Sequence, residues 1–185
     1  LFIDAEYLTK LEGILTCVDL AGAEQSAIAG GAIRDMLLEK EIADIDVFIK
    51  GEVTEASLTP WFDKVEPCDN GMYEESTFNV MFKCSVAGIP VPIQIIQVKG
   101  SIEEHIYAFP CSLSRVFYTR EYGLGGVTYH FLWQAQKEQL FFDRKVNMQY
   151  VEKMTKKFPE FKVMYALPEY APHYFPQYQP VNLDF

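Results

Sequence analysis

The stretch from Ala27 to Ile49 constrains the fold more than any other part of the chain, because two site-building devices stand in it at fixed spacing. Ala27, Ile28 and Ala29 suit a buried strand, and Gly30-Gly31 permits torsions and a close backbone approach that side chains would obstruct. A helix over 32–40 is expected next. The first N–H groups of a helix have no partner within it, so together with the positive end of the dipole they suit a phosphate. An alternating strand, Ala43 to Ile49, follows at once. Residues two apart in a strand share a face, so Asp44 and Asp46 stand together while Ile45 and Val47 turn to the core. Two neighbouring carboxylates repel unless a cation sits between them. Mg2+ is the simplest such cation, with phosphate oxygens filling its remaining positions.

The spacing of Gly30, Gly31, Arg34, Asp35, Leu37, Leu38, Asp44 and Asp46 carries a family resemblance. It resembles the head-domain signature of the DNA polymerase beta superfamily, in the branch of bacterial poly(A) polymerases and CCA-adding tRNA nucleotidyltransferases. Glu39 departs from that signature, where the family has a glycine closing the helix. The resemblance implies an α+β fold of the polymerase beta palm type, a mixed sheet with helices packed mainly on one side. It also implies a nucleotidyltransferase, which moves a nucleoside monophosphate from an NTP to an acceptor hydroxyl and releases pyrophosphate. Asp44 and Asp46 would then hold Mg2+ (or Mn2+), and Gly30, Gly31 and Arg34 would cradle the β and γ phosphates. The acceptor would be an RNA or tRNA 3′ end, a protein hydroxyl or a small molecule.

A looser match continues to Tyr118. Strands over 77–86 and 91–98, joined by a turn at Gly88, read as a hairpin whose second arm brings the family a third carboxylate. Gln94 occupies that position, either as a neutral metal ligand or as a residue that satisfies a polar neighbour. The family's next motif, which helps to hold triphosphate and ribose, lies over Phe109 to Tyr118, with Ser112 and Ser114 at its polar positions. Its Arg-Asp pair is replaced by Phe109-Pro110. Arg115 is a candidate substitute cation, and a structural arginine is an equal alternative. These departures support a second reading, a catalytically degenerate member that binds nucleotide or a protein partner. A third reading is an RNA-binding structural protein.

The 185 residues are enough for one well-packed domain, divided here into a head over 1–146 and a C-terminal helix with a Pro/Tyr-rich tail over 147–185, packed on that same domain. The tail has the composition of a wrapping segment or a protein-partner contact. Before the central motif, Asp4 to Val18 has the spacing of an amphipathic helix capped by Asp4, followed by a loop over 21–25. Thr54 to Val65 is expected to include a helix, and Asn147 to Phe158 is expected to form one capped by Asn147. The net charge of −10, from 26 acidic and 16 basic residues, offers no basic surface for gripping a polyanion, and no DNA partner is expected. The four cysteines form no zinc pattern and read as buried thiols of a reducing compartment. No apolar run reaches the roughly 18 residues of a membrane span and no leader is recognisable, which points to a soluble, cytoplasmic chain without a membrane partner.

Overall fold

The computed structural model describes residues 1–68 and 78–172. The sequence from Cys68 to Glu75 reads as a polar surface loop; its part after Cys68, and the tail beyond Pro172, lie outside the described residues. Two compact units emerge, one of Leu1–Tyr107 with Val116–Gly125, the other of Ala108–Arg115 with the chain from Gly126 onward.

The first unit is built on a seven-stranded mixed sheet. Helix α1 (Ala5–Leu20) leads in, with Asp4 accepting a hydrogen bond from the Tyr7 amide and Leu11, Ile14, Leu15 and Val18 turned to the core. Strand β1 (Ala23–Ala29) follows, then helix α2 (Gly31–Leu37) and strand β2 (Ile45–Gly51). A short helix α3 (Glu55–Leu58) precedes β3 (Lys64–Pro67), and β4 (Phe78–Val86) and β5 (Ile89–Val98) form the expected hairpin. Helix α4 (Ile102–Tyr107) and the short strands β6 (Phe117–Thr119) and β7 (Gly123–Gly125) complete the unit. The strand order is β3-β4-β5-β2-β1-β6-β7, with β2 and β5 parallel and the other pairs antiparallel. The parallel pair sits at the centre, where Ile45, Val47, Ile49, Ile93 and Ile95 are buried. Strands covered on both faces favour such β-branched residues.

Several boundaries differ from the sequence reading, for local reasons. Strand β1 begins at Ala23 instead of after a loop to Gln25, because Ala23 and Gln25 pair with Gly51 and Lys50 across a bulge. Helix α2 stops at Leu37, three residues short of expectation. Glu39 takes a left-handed φ of 56°, its amide bonds to the Met36 carbonyl, and the Lys40 amide bonds to the Asp35 carbonyl at 2.8 Å. That pair of bonds is the Schellman arrangement that ends a helix, and its left-handed residue is the one the family fills with glycine. The helix expected within 54–65 is the single turn α3, since Pro60 lies just beyond its end.

The second unit has shorter elements. A 3-10 turn (Ser112–Ser114) is followed by helix α5 (Tyr129–Gln136), strand β8 (Gln139–Phe142), helix α6 (Met148–Lys157) capped by Asn147, and strand β9 (Lys162–Tyr165). Strands β8 and β9 pair in parallel, and Leu113, Phe131, Leu140, Phe142 and Phe158 form the core. A 3-10 turn, Pro168–Tyr170, is the last described element.

Candidate active site

Antiparallel pairing brings the two halves of the sequence motif to one end of the sheet. Ile28 of β1 lies opposite Val47 of β2, so the chain leaves β1 into Gly30 where β2 begins with Ile45 and Asp46. Gly30 has φ 78° and ψ −131°, outside the range open to side chains at low cost. Its N–H donates to the Val116 carbonyl at 3.0 Å, and its own carbonyl accepts from the Ile33 and Arg34 amides. The turn is thereby held from the β6 side and from α2. A Cβ at Gly31 would stand 3.3 Å from Arg34 Nη2 and 3.6 Å from Asp35 Oδ2, so the glycine keeps this backbone close to a charged pair.

That pair is internal. Arg34 and Asp35 are 5% and 1% exposed, with Arg34 Nε donating to Asp35 Oδ1 at 2.8 Å. Neither side chain lies on the helix surface. Burying an arginine beside a glycine turn is costly unless the charge is compensated, and Asp35 supplies that compensation here.

Asp44 and Asp46 are both half-buried, on either side of fully buried Ile45. Asp44 lies one residue before the strand begins, and Asp46 is its second residue. Asp46 Oδ1 is shielded from solvent. In the parallel ladder Asp46 lies directly opposite Gln94 of β5, which is the position at which the family resemblance calls for a third carboxylate. Among the described residues, no group of three or more His, Cys, Asp or Glu side chains is arranged to hold a metal. Two carboxylates and an amide oxygen are nevertheless hard donors. They suit Mg2+, which leaves much of its coordination to water and phosphate.

Sequence reasoning missed Tyr7. Its hydroxyl donates to the Ala32 carbonyl in the first turn of α2 at 3.3 Å. Burial, then the nearby Asp35, Asp4 and Asp44 carboxylates, push its ionisation well above the ordinary phenol range. The amphipathic spacing over 4–18 carries no sign of where the Tyr7 hydroxyl goes.

The remaining candidates belong to the second unit. Ser112 and Ser114 are buried in the 3-10 turn, and Ser114 Oγ hydrogen-bonds the Tyr150 hydroxyl at 3.0 Å. Arg115 donates to both Asp143 carboxylate oxygens and to the Phe109 carbonyl. Burial tends to raise the Asp143 pKa, but the Arg115 hydrogen bond and charge, with Arg144, outweigh it and hold the carboxyl below its usual value.

Charge is divided between the units. The first carries twenty acidic and eight basic residues, a net of −12, whereas the second carries six acidic and eight basic, a net of +2. The acidity of the whole chain is therefore a property of the unit that holds Asp44 and Asp46.

Comparison with solved structures gives the fold a place. A CCA-adding enzyme in complex with CTP superposes with TM-score 0.59 at 15% identity, over 87% of this chain and 41% of that one. The Thermotoga maritima CCA-adding enzyme complexed with tRNA gives TM-score 0.57 at 16% identity, over 87% and 40%. A tRNA-processing enzyme in an apo form gives 0.55 at 14%, over 77% and 38%. The chain has the fold of nucleotidyltransferase head domains, and its match spans about two fifths of the length of those structures. No family model matches the chain, and no curated protein matches it in sequence.

Proposed function

We propose that the chain is a nucleotidyltransferase that moves a nucleoside monophosphate from an NTP to an acceptor hydroxyl. The observation that carries this reading is the β1–β2 register, in which Ile28 opposite Val47 brings the Gly30-Gly31 turn and Asp46 to the same end of neighbouring strands. The backbone of the turn and the Arg34 guanidinium bind the β and γ phosphates. Asp44 and Asp46, with Gln94 alongside, hold Mg2+ or Mn2+, which supplies charge neutralisation on the phosphates when bound. The acceptor hydroxyl oxygen forms its bond to the α phosphorus as the bond to the β-phosphate oxygen breaks, its proton passes to water, and pyrophosphate leaves. Tyr7, kept protonated by its surroundings, acts as a donor and not as a base.

An RNA 3′ end is the favoured acceptor. Fold neighbours include one solved with tRNA, and the second unit is free of the excess acidity that would repel a polyanion. The test is incubation with each α-labelled NTP, Mg2+ or Mn2+, and mixed RNA and protein. Label should reach an acceptor with wild-type protein and fall by about 10³-fold or more in Asp44→Ala and Asp46→Ala, the scale of charge stabilisation in phosphoryl transfer. A second reading has its own observation. Gln94 opposite Asp46, together with Phe109-Pro110, suits a degenerate member that binds nucleotide or a protein partner. Nucleotide affinity without transfer to any acceptor would select that reading.

A further inference from the structure

We propose that Tyr7 is a positioning residue, whose hydroxyl holds the first turn of α2 and with it the Gly30-Gly31 turn. The inference rests on the proposed phosphate-binding role of that turn, but the contacts that motivate it do not.

The N-terminal arm and the start of α1 hold α2 at both ends. Phe2 N–H donates to the Leu37 carbonyl at 3.1 Å, at the end of α2, and the Tyr7 hydroxyl donates to the Ala32 carbonyl at 3.3 Å, at its beginning. Asp4 sets the position of Tyr7 by accepting its amide hydrogen at 3.0 Å while capping α1. Helix α1 is itself anchored by Leu11 and Leu15, neither of which is exposed at all. The Tyr7 oxygen thus hangs from a fixed support. The Val116 carbonyl separately holds the Gly30 amide at 3.0 Å. A turn restrained by both contacts keeps its backbone in one place, the requirement for a site that works by alignment.

The hydroxyl hydrogen-bonds the helix that leads out of the glycine turn. A buried phenol stays protonated through the neutral range, so the donor is constant. Phenylalanine would preserve the packing of the ring and remove only this donor.

Tyr7→Phe in the full chain therefore separates positioning from packing. Two measurements are needed. In amide hydrogen exchange, the Ile33 and Arg34 amides, which close the first turn onto Gly30, should exchange roughly fivefold faster in the variant, the worth of one hydrogen bond. In equilibrium titrations with each nucleotide and Mg2+, triphosphate affinity should fall by a similar factor, roughly fivefold, while affinity for the matching nucleoside stays unchanged. Tyr107→Phe, at an exposed tyrosine of the same unit, should change neither. Equal exchange in wild type and variant overturns the proposal. Faster exchange with an equal loss of nucleoside and triphosphate affinity also overturns it, because that pattern belongs to general loosening. A wild-type protein that binds no triphosphate contradicts the proposed function and the positioning role together, whereas wild-type binding unaltered in Tyr7→Phe contradicts only the latter.

Discussion

The two units keep their form by different means. In the first, the central strands β2 and β5 run seven and ten residues, and burial of Ile45, Val47, Ile93 and Ile95 accompanies a continuous backbone ladder. In the second, the strands are four residues long, and the chain is tied by side chains instead. Arg115 joins Asp143 to the Phe109 carbonyl, and Ser114 joins Tyr150. Long ladders spread their stabilisation over many small terms, whereas a unit of short elements concentrates it in a few polar contacts. Backbone strain should therefore injure the first unit most, and loss of a single polar side chain the second.

Gly51→Ala should have the largest effect on stability. Gly51 has φ 94° at the β1–β2 bulge, and a Cβ there would lie 2.9 Å from the Glu24 amide nitrogen and 3.3 Å from the Gly22 carbonyl oxygen. The left-handed torsion and the backbone clash together should cost about 3 kcal/mol, measured by denaturant unfolding. An unchanged midpoint would mean that the bulge is adaptable and that the ladder is less exacting than described.

Arg115→Ala should come next, at about 2 kcal/mol. It strips two carboxylate oxygens and one carbonyl of their donor in a partly screened setting. Amide exchange should accelerate over 108–115 and 126–172 and remain near wild type in β2 and β5. The same contact sets a pH dependence. Because the folded-state pKa of Asp143 lies below its unfolded value, the stabilisation is complete above the unfolded pKa and is lost as pH falls through the folded one. The second unit should weaken below about pH 4, near the ordinary aspartate pKa. In Arg115→Ala that acid-dependent slope should flatten.

The smallest effect should be a gain. Glu39 holds a left-handed φ of 56° at the end of α2, and Glu39→Gly removes that strain while adding freedom to the unfolded chain. A net stabilisation of about 0.5 kcal/mol is expected, and a loss would mean that the glutamate side chain makes a contact worth more than the strain.

The same contrast explains what could be read in advance. Helix α1 with its Asp4 cap, helix α6 with its Asn147 cap, and the β4–β5 hairpin around Gly88 each carry a periodic pattern bounded by a capping or turn residue. That Gln94 lies opposite Asp46 is fixed by the parallel β2–β5 pairing, which local alternation does not reveal. Strands β3, β7 and β9 were not legible. They are three or four residues long, and their pairing is decided by distant partners instead of by local alternation. Side-chain commitments were the least legible part of all. Nothing in the composition near Arg115 names Asp143, nothing in α1 indicates that Tyr7 reaches Ala32, and burial of the adjacent Arg34-Asp35 pair depends on how α2 packs. The charge division was likewise hidden, since a net of −10 does not say which unit holds it.

The most direct test of the central claim is a crystal structure of the protein with a non-hydrolysable NTP and Mg2+ or Mn2+. The β and γ phosphates should lie against the Gly30-Gly31 backbone, with Arg34 turned toward them and the cation between the phosphates and the Asp44 and Asp46 carboxylates. A triphosphate bound elsewhere on the chain, or one at the turn with its cation away from both aspartates, would contradict the account.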